Sequence, residues 1–288
     1  MYKLQVLILF VSSALLFNCS TSQNNDPDQE EWIQLFNGQD IDNWSVKFNG
    51  YELGMNYKNT FKVEDSLLKV RYHEYDSFVN REFGHLFYNQ EFSHYRLKAT
   101  YRFVEDQVKG GPGWAFRNNG FMLHSQSPES MGLNQDFPIS LEMQLLGGGG
   151  EGSRPTANLC TPGTNVHFAD TLFTPHCISS TSETFHGDQW VEVEALVLGD
   201  SILQHIVGGT PVLTYTKPLV DGGNVSGLIP EKASLTGPLG MGYIAIQAET
   251  HPIDFKKIEV LDLCGCTDEK AKNYKSYYLK SDNTKCIY

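Results

Sequence analysis

Pro138-Ile139-Ser140-Leu141-Glu142-Met143-Gln144-Leu145 is the stretch on which the fold class turns. Ile139, Leu141, Met143 and Leu145 alternate with Ser140, Glu142 and Gln144, a period of two that defines a strand with one apolar and one polar face. The polar face carries a carboxylate and an amide two residues apart, pointing the same way. Upstream, Gly113-Trp114-Ala115-Phe116-Arg117-Asn118-Asn119-Gly120 leads into Phe121-Met122-Leu123-His124, a second short strand after an Asn-Asn-Gly turn signal. The two strands are expected to share a sheet, with Arg117, Asn119, His124, Glu142 and Gln144 on or beside one polar surface. The plain alternative is the solvated outer face of a sandwich. Trp, Arg, Asn, His, Glu and Gln together suit sugar binding better than Lys and Thr would.

The alternation recurs in both directions from there. In His94 to Phe103, Tyr95, Leu97, Ala99, Tyr101 and Phe103 alternate with Arg96, Lys98, Thr100 and Arg102. Phe61 to Val63 and Leu67 to Val70 flank a Glu-Asp-Ser turn and read as a hairpin, as do Trp190 to Leu198 and Ile202 to Val207. Tyr243 to Glu249 sets Gln247 and Glu249 on one face, opposite Ile244, Ile246 and Ala248. After His251-Pro252 the apolar phase slips from Ile253 and Phe255 to Ile258 and Val260, the mark of a β-bulge near Lys256-Lys257. Between Trp32 and Leu263 no convincing amphipathic helix is found, so the predicted class is all-β. Gly147 to Gly152 invites a phosphate-loop reading, but no Gly-Lys-Ser or Gly-Lys-Thr follows, and a surface loop is expected. Ser153 to Asp188 reads as a long loop at a site's rim, and Leu219 to Pro238 as another loop.

The net charge of -12, without a basic cluster, argues against a nucleic-acid partner. Met1 to Phe17 has one early Lys3 and then an apolar run too short for a comfortable membrane span, which fits an export signal. Its end, Leu15-Leu16-Phe17-Asn18-Cys19, resembles a bacterial lipoprotein signal with Cys19 as the lipidated residue; Asn18 departs from the usual small residue there. The expected organisation is a signal over 1–18, an acidic tether over 19–31, a β-sandwich over 32–263 and a cysteine-containing appendage over 264–288. The expected location is the bacterial cell envelope, with membrane contact through the lipid anchor only. In such an oxidising compartment Cys160, Cys177, Cys264, Cys266 and Cys286 are disulfide candidates. Cys160 with Cys177 would close the long loop, and Cys286 should pair with Cys264 or Cys266, leaving one thiol over.

Several segments in order resemble one known family. Leu35-Phe36-Asn37-Gly38-Gln39-Asp40-Ile41-Asp42-Asn43-Trp44 is similar to its opening motif, and Phe92 to Leu97 through Tyr101-Arg102 to the strand that follows. Asn119-Gly120-Phe121, Glu142-Met143-Gln144, Gly242 to Gln247 and Phe255-Lys256-Lys257-Ile258 then fall in the expected order. The family is the 3-keto-disaccharide hydrolases. Two departures stand out: Asn118-Asn119-Gly120 replaces the usual Asn-Ser-Gly, and Phe255-Lys256-Lys257-Ile258 the usual Phe-Arg-Asn-Ile. The tail around Gly265-Cys266-Thr267-Asp268 resembles a short cysteine motif appended to secreted bacterial proteins.

The resemblance implies a jelly-roll β-sandwich of the concanavalin A-like lectin and glucanase type, binding sugar on one sheet face. It also implies cleavage of glycosides already oxidised at C3. A C3 ketone acidifies the C2 proton, so one base and one group stabilising the enolate suffice. Glu142 is the candidate base and His124 the candidate acid. His85, Trp114, Arg117, Asn119, Gln144, Gln247, Glu249 and His251 are candidate substrate contacts. His85, Glu142, Glu249 and His251 also offer donors for a divalent metal ion acting as Lewis acid, although their spacing is not that of a ligand motif. Two other readings stay open: a conventional glycosidase using Glu142 and Glu249 as its carboxylate pair, and a carbohydrate-binding lipoprotein without catalysis.

Overall fold

The computed structural model describes residues 26–233 and 235–288. The signal segment, Cys19 and the first part of the tether lie outside them. Strands follow one another with hardly a helix between, because apolar residues recur every second position. The first are β1 (Ile33–Gln34), β2 (Trp44–Phe48), β3 (Phe61–Glu64), β4 (Leu67–Val70), β5 (Gly84–Phe92) and β6 (His94–Phe103). Next come β7 (Asn118–Ser125), β8 (Leu141–Leu146), β9 (Asn158–Cys160), β10 (Thr164–Phe168), β11 (Thr171–Phe173) and β12 (Cys177–Ile178). The remainder are β13 (Val191–Leu198), β14 (Ile202–Val207), β15 (Thr210–Val220), β16 (Gly237–Pro238), β17 (Gly242–Ala248), β18 (Ile253–Asp262), β19 (Cys264–Gly265) and β20 (Lys280–Ser281).

Two antiparallel sheets form the sandwich. One runs β11-β10-β15-β14-β13-β6-β18-β4-β3, with β1 beside β18 and β16 beside β15; the other runs β12-β9-β8-β7-β17-β5-β2. The chain is all-β and a jelly-roll sandwich, as the alternation and the resemblance predict. Between the sheets Tyr95, Leu97, Ala99, Tyr101 and Phe103 face Phe121, Leu123, Leu141, Met143 and Leu145, all buried in one core. Each such aromatic or aliphatic side chain contributes about 1.5–3 kcal/mol of burial free energy. The two layers also touch at specific points: Phe121 meets Phe255 edge-on at 5.6 Å, and Tyr101 Oη lies 2.8 Å from Thr156 Oγ1.

Several boundaries differ from the sequence reading. Asn118, Asn119 and Gly120 are already inside β7 rather than in a turn, paired with Leu146, Leu145 and Gln144. The segment read as a long loop over 153–188 contains β9, β10, β11 and β12, strands too short and too interrupted by Pro, Thr and Ser to show a period. Within the loop read over 219–238 lie the end of β15, one helical turn, α1 (Pro230–Ala233), and β16. The glycine run is packed at its start: a Cβ at Gly147 would lie 2.8 Å from the Phe103 ring, and one at Gly148 2.2 Å from His186 Nδ1. Its first two glycines admit close neighbours, while Gly150 and Gly152 face open space. The expected bulge near Lys256-Lys257 is present, as a register shift between β18 and β6 after Phe255.

The cysteines resolve into Cys160–Cys177, joining β9 to β12, and Cys266–Cys286, closing the tail; Cys264 is the free thiol. The tail grips the other end of the described chain. Lys275 Nζ lies 2.5 Å from Glu31 Oε1, the Ser276 N–H donates to Pro27 O, and Ser276 Oγ donates to Asp28 Oδ1 at 2.7 Å. Residues 26–31, expected as free tether, are therefore docked on the appendage.

Candidate active site

The site lies on the outer face of the seven-stranded sheet, and strand pairing explains how it is assembled. Leu141, Met143 and Leu145 point into the core, so Glu142 and Gln144 point outward. Gln144 pairs with Gly120 and Asn158, and Gln247 pairs with His85, so these residues form neighbouring rungs of one face. Glu142 pairs with Met122 and Cys160. Gly120 is the position that lets Glu142 lie flat across the sheet. A Cβ there would sit 2.5 Å from Glu142 Oε1 and 2.7 Å from its Cγ, so the missing side chain is the space the carboxylate occupies.

A cleft of about 360 Å³ opens above these strands, walled by Trp114, Asn118, Phe137, Glu142, Gln144 and Glu249. Its rim carries Pro162, His176 and the Cys160–Cys177 disulfide. This volume falls at the lower end of the range of small-molecule pockets. Trp114 is 55 % exposed, whereas Glu142 and Glu249 are only 5 % and 3 % exposed.

Elsewhere in the fold buried charges are paired. Asp254 takes Arg71, and Arg102 at 2.9 Å, while Arg71 Nε also reaches Glu105 at 3.1 Å. Buried His205 has both ring nitrogens satisfied, by Ala157 O and Tyr215 Oη at 3.0 Å each. Inside the sandwich Tyr95 Oη and His124 Nδ1 lack a partner among the described residues, but most such atoms belong to the site face and its edge. Glu142 Oε1, Glu249 Oε2, Asn118 Oδ1, both amide atoms of Gln247 and both ring nitrogens of His85 and of His251 lack a partner among the described residues. Buried polar atoms rarely go unsatisfied, and a cluster of them marks a place where something else binds.

Burial pushes the Glu142 carboxyl up to about 8. Glu249 is raised well above its ordinary value, first by burial and then by the Glu142 charge beside it. The pair shares protons rather than carrying two charges. Burial lowers His85 to about 3, with Lys47 adding to the effect, and lowers His251 to about 4, with Arg117 and Arg154 adding. Both imidazoles are neutral at physiological pH.

The turn beyond β17 holds Glu249 in place at a conformational cost. Thr250 has φ 95°, a left-handed value that a β-branched residue adopts only under constraint. Three hydrogen bonds impose it: its N–H donates to Tyr72 Oη at 2.7 Å, its Oγ1 accepts from Gln107 Nε2 at 2.8 Å, and its carbonyl accepts from Val108 N at 3.1 Å. Such strain costs on the order of 1–3 kcal/mol and concentrates at functional sites.

Six sequence-predicted site residues do not line the cleft: His85, Arg117, Asn119, His124, Gln247 and His251. His124 has φ 47° within a bulge of β7 against β17, which turns its ring into the sandwich. There its Nε2 meets Gly199 O at 3.1 Å, and it packs edge-on against Tyr95. Asn119 points into the core beside Leu145, donating to Gln247 O at 2.6 Å. Arg117 is tied to Gly187 O and, at 3.0 Å, to Asp188. By contrast Glu142, Gln144, Trp114 and Glu249 meet in the cleft. His85 and Gln247 lie on the same face; His85 packs edge-on against the cleft wall Phe137, their ring centres 5.8 Å apart. His251 stands edge-on to Phe103 and Phe116. Asn118, Phe137, Pro162 and His176 are cleft residues that the sequence reading missed. Asn118 was legible in principle, two residues before Gly120 on the same strand parity; the others arrive from loops.

Two free carboxylate oxygens and neutral imidazoles are the donor types a divalent metal takes. No three of His85, Glu142, Glu249 and His251 converge, however. The one three-residue grouping among the described residues is Cys160, His176 and Cys177, whose sulfurs are joined to each other. The face supplies two carboxylate ligands but not a complete metal site.

Residues 31–261 match the 3-keto-alpha-glucoside-1,2-lyase-like domain, and the chain belongs to that family. No curated protein matches it. Among solved structures it is similar to a candidate glycosyl hydrolase from Parabacteroides distasonis, with 14 % identity and a TM-score of 0.46 over 81 % of this chain and 99 % of that one. It is also similar to the Bacillus licheniformis β-glucanase, with 10 % identity and a TM-score of 0.45 over 82 % and 100 % of the two chains. A carbohydrate-binding module from Bacillus subtilis gives 7 % and 0.42 over 76 % and 96 %.

Proposed function

We propose that this protein cleaves glycosides already oxidised at C3, by elimination across C1 and C2. The observation that carries the reading is the pair Glu142 and Glu249: buried together, raised by desolvation, each with an unpartnered oxygen, in the cleft of a 3-keto-glucoside lyase-type domain. As its carboxylate, Glu142 takes the C2 proton, made acidic by the ketone. The electrons move into an enolate on the C3 oxygen and return to expel the C1 oxygen, forming the C1=C2 double bond. Glu249, which burial keeps protonated, gives its proton to the departing oxygen. Water adding back at C1 converts elimination into net hydrolysis. The amides of Asn118, Gln144 and Gln247 are the donors within reach of this face for the enolate and the sugar hydroxyls.

A carboxylate base matched to neutral pH is what such proton abstraction requires, and desolvation is the usual means of raising one. A conventional two-carboxylate glycosidase also needs one of its pair ionised, so burial weighs equally on both readings, and the family match favours elimination. The test is incubation with 3-keto-trehalose, 3-keto-sucrose and their unoxidised parents, reading released products by mass spectrometry. Glu142→Gln and chelator-treated samples run alongside. Cleavage of the keto sugars alone, lost in Glu142→Gln, is expected; cleavage of the parents would replace this reading with a conventional glycosidase. Silence on all of them would leave a binding protein. The proposed setting is the bacterial envelope with Cys19 as the lipid anchor, and Cys19→Ala should move the protein from the membrane to the soluble fraction.

A further inference from the structure

A second groove adjoins the cleft and shares one wall with it. It encloses about 350 Å³ and is bordered by Phe78, Val79, Arg81, Phe83, Pro112 and Trp114. Trp114 lines both spaces. Aromatic rings continue from one to the other: Phe137 in the cleft meets Phe83 at a tilt with centroids 5.1 Å apart, and Phe83 meets Trp114 at 5.9 Å and Phe78 at 5.1 Å. Val79 is 68 % exposed, an apolar side chain left in water at the edge of this row.

The groove is preformed rather than loose. Phe78 N donates to Lys109 O at 2.7 Å, and a Cβ at Gly110 would lie 2.6 Å from Phe78 O, so the two loops meet backbone to backbone. Arg81 is held at φ 58°, its carbonyl accepting from Asn49 Nδ2 at 2.9 Å and from Phe83 N at 2.7 Å. Its guanidinium lies over the Phe83 ring, contacts Asp136 at 2.6 Å, and stays largely exposed. An apolar, aromatic floor with one fixed donor is the composition of a specificity pocket.

We propose that this groove is the subsite for the C1 substituent, the group expelled from the ring held over Glu142. The occupant is a group with a flat apolar face, which lies against Trp114 and Phe83 while Arg81 donates to its oxygens. A sugar ring and an aromatic aglycone both present such a face. The assignment rests on the elimination reading above, and the two are separable by experiment.

Three 3-keto glucosides with methyl, glucosyl and phenyl substituents at C1 are compared on the full chain, its Val79→Arg variant, which lays a long side chain across the groove, and Arg81→Ala. In the parent protein the larger substituents should raise kcat/KM over methyl by roughly tenfold or more, the scale expected of one added contact surface. Val79→Arg should cut that ratio by roughly tenfold, to the difference in leaving-group ability alone, because its side chain enters the groove that only the larger substituents occupy. Arg81→Ala should reduce the ratio partway. Loss for only one of the two large substituents would identify the occupant. A ratio unchanged by Val79→Arg overturns the proposal. If no keto glycoside is turned over, the elimination reading falls, and the groove is judged by calorimetric binding of the unoxidised methyl, glucosyl and phenyl glucosides. Tighter binding of the larger ones, abolished by Val79→Arg, upholds it; equal binding of all three overturns it.

Discussion

At the scale of the residue, Glu142 is where stability and function oppose each other. Its folded value near 8 stands above the ordinary 4.5, so the fold favours the neutral form. Below pH 4.5 both folded and unfolded chains hold the proton, and the group costs nothing. Between 4.5 and 8 the unfolded chain is ionised while the folded one is not, and stability falls by up to about 1.4 kcal/mol per pH unit. Glu142→Gln should therefore be inactive yet melt higher than the parent. The gap should be absent below pH 4.5 and widen toward pH 8, as read by thermal melts across that range. The same ionisation governs the base, so kcat/KM should climb with pH up to about 8; a rate falling over that span would exclude Glu142 as the base. Gly120→Ala offers a separate check. Its methyl would displace the end of a flexible side chain rather than backbone, so melting should shift by no more than about 1–2 kcal/mol equivalent while activity collapses. Full activity in that variant would show that the position of Glu142 across Gly120 is immaterial.

Among the elements, the two bulges show why some irregularities can be read and others cannot. The bulge after Phe255 moves the apolar positions from odd to even, and charged Lys256 and Lys257 mark the slip. The bulge that carries His124 inward lies in Phe-Met-Leu-His, where neighbouring apolar residues leave no phase to slip. Alternation thus placed Glu142 and Gln144 correctly and His124 wrongly. The Cys160–Cys177 bridge fastens β12 to β9 at the cleft's rim, next to Glu142 across the ladder. Replacing both cysteines by serine should cost about 3 kcal/mol, the chain-entropy value for a loop of this length, and should raise KM more than it lowers kcat. Unchanged melting and KM would mean that the rim holds without its bridge.

Across the whole molecule, the cleft and the tail occupy opposite ends of the sandwich. His251, two residues beyond Glu249, packs on Phe103 at one end of β6, whereas the tail joins at its His94 end, where Leu263 N donates to His94 O and Arg96 reaches Glu30 at 3.2 Å. Ending the chain after Leu263 should therefore lower the melting temperature and free residues 26–31 for proteolysis, with kcat/KM on a keto glycoside held within about twofold. A collapse of activity at unchanged stability would give the tail a place in catalysis. The sequence by itself determined the class of this fold, because a period of two in apolar residues marks strands, and it determined which face of β8 bears Glu142. The matching of a sugar-active family also rested on local motifs. Only the tertiary structure decided that Glu142 and Glu249, more than a hundred residues apart, share one desolvated cleft, and that His124 does not join them. Strand order, bulges and loop crossings are set by packing between distant segments. No local pattern of residues carries that information.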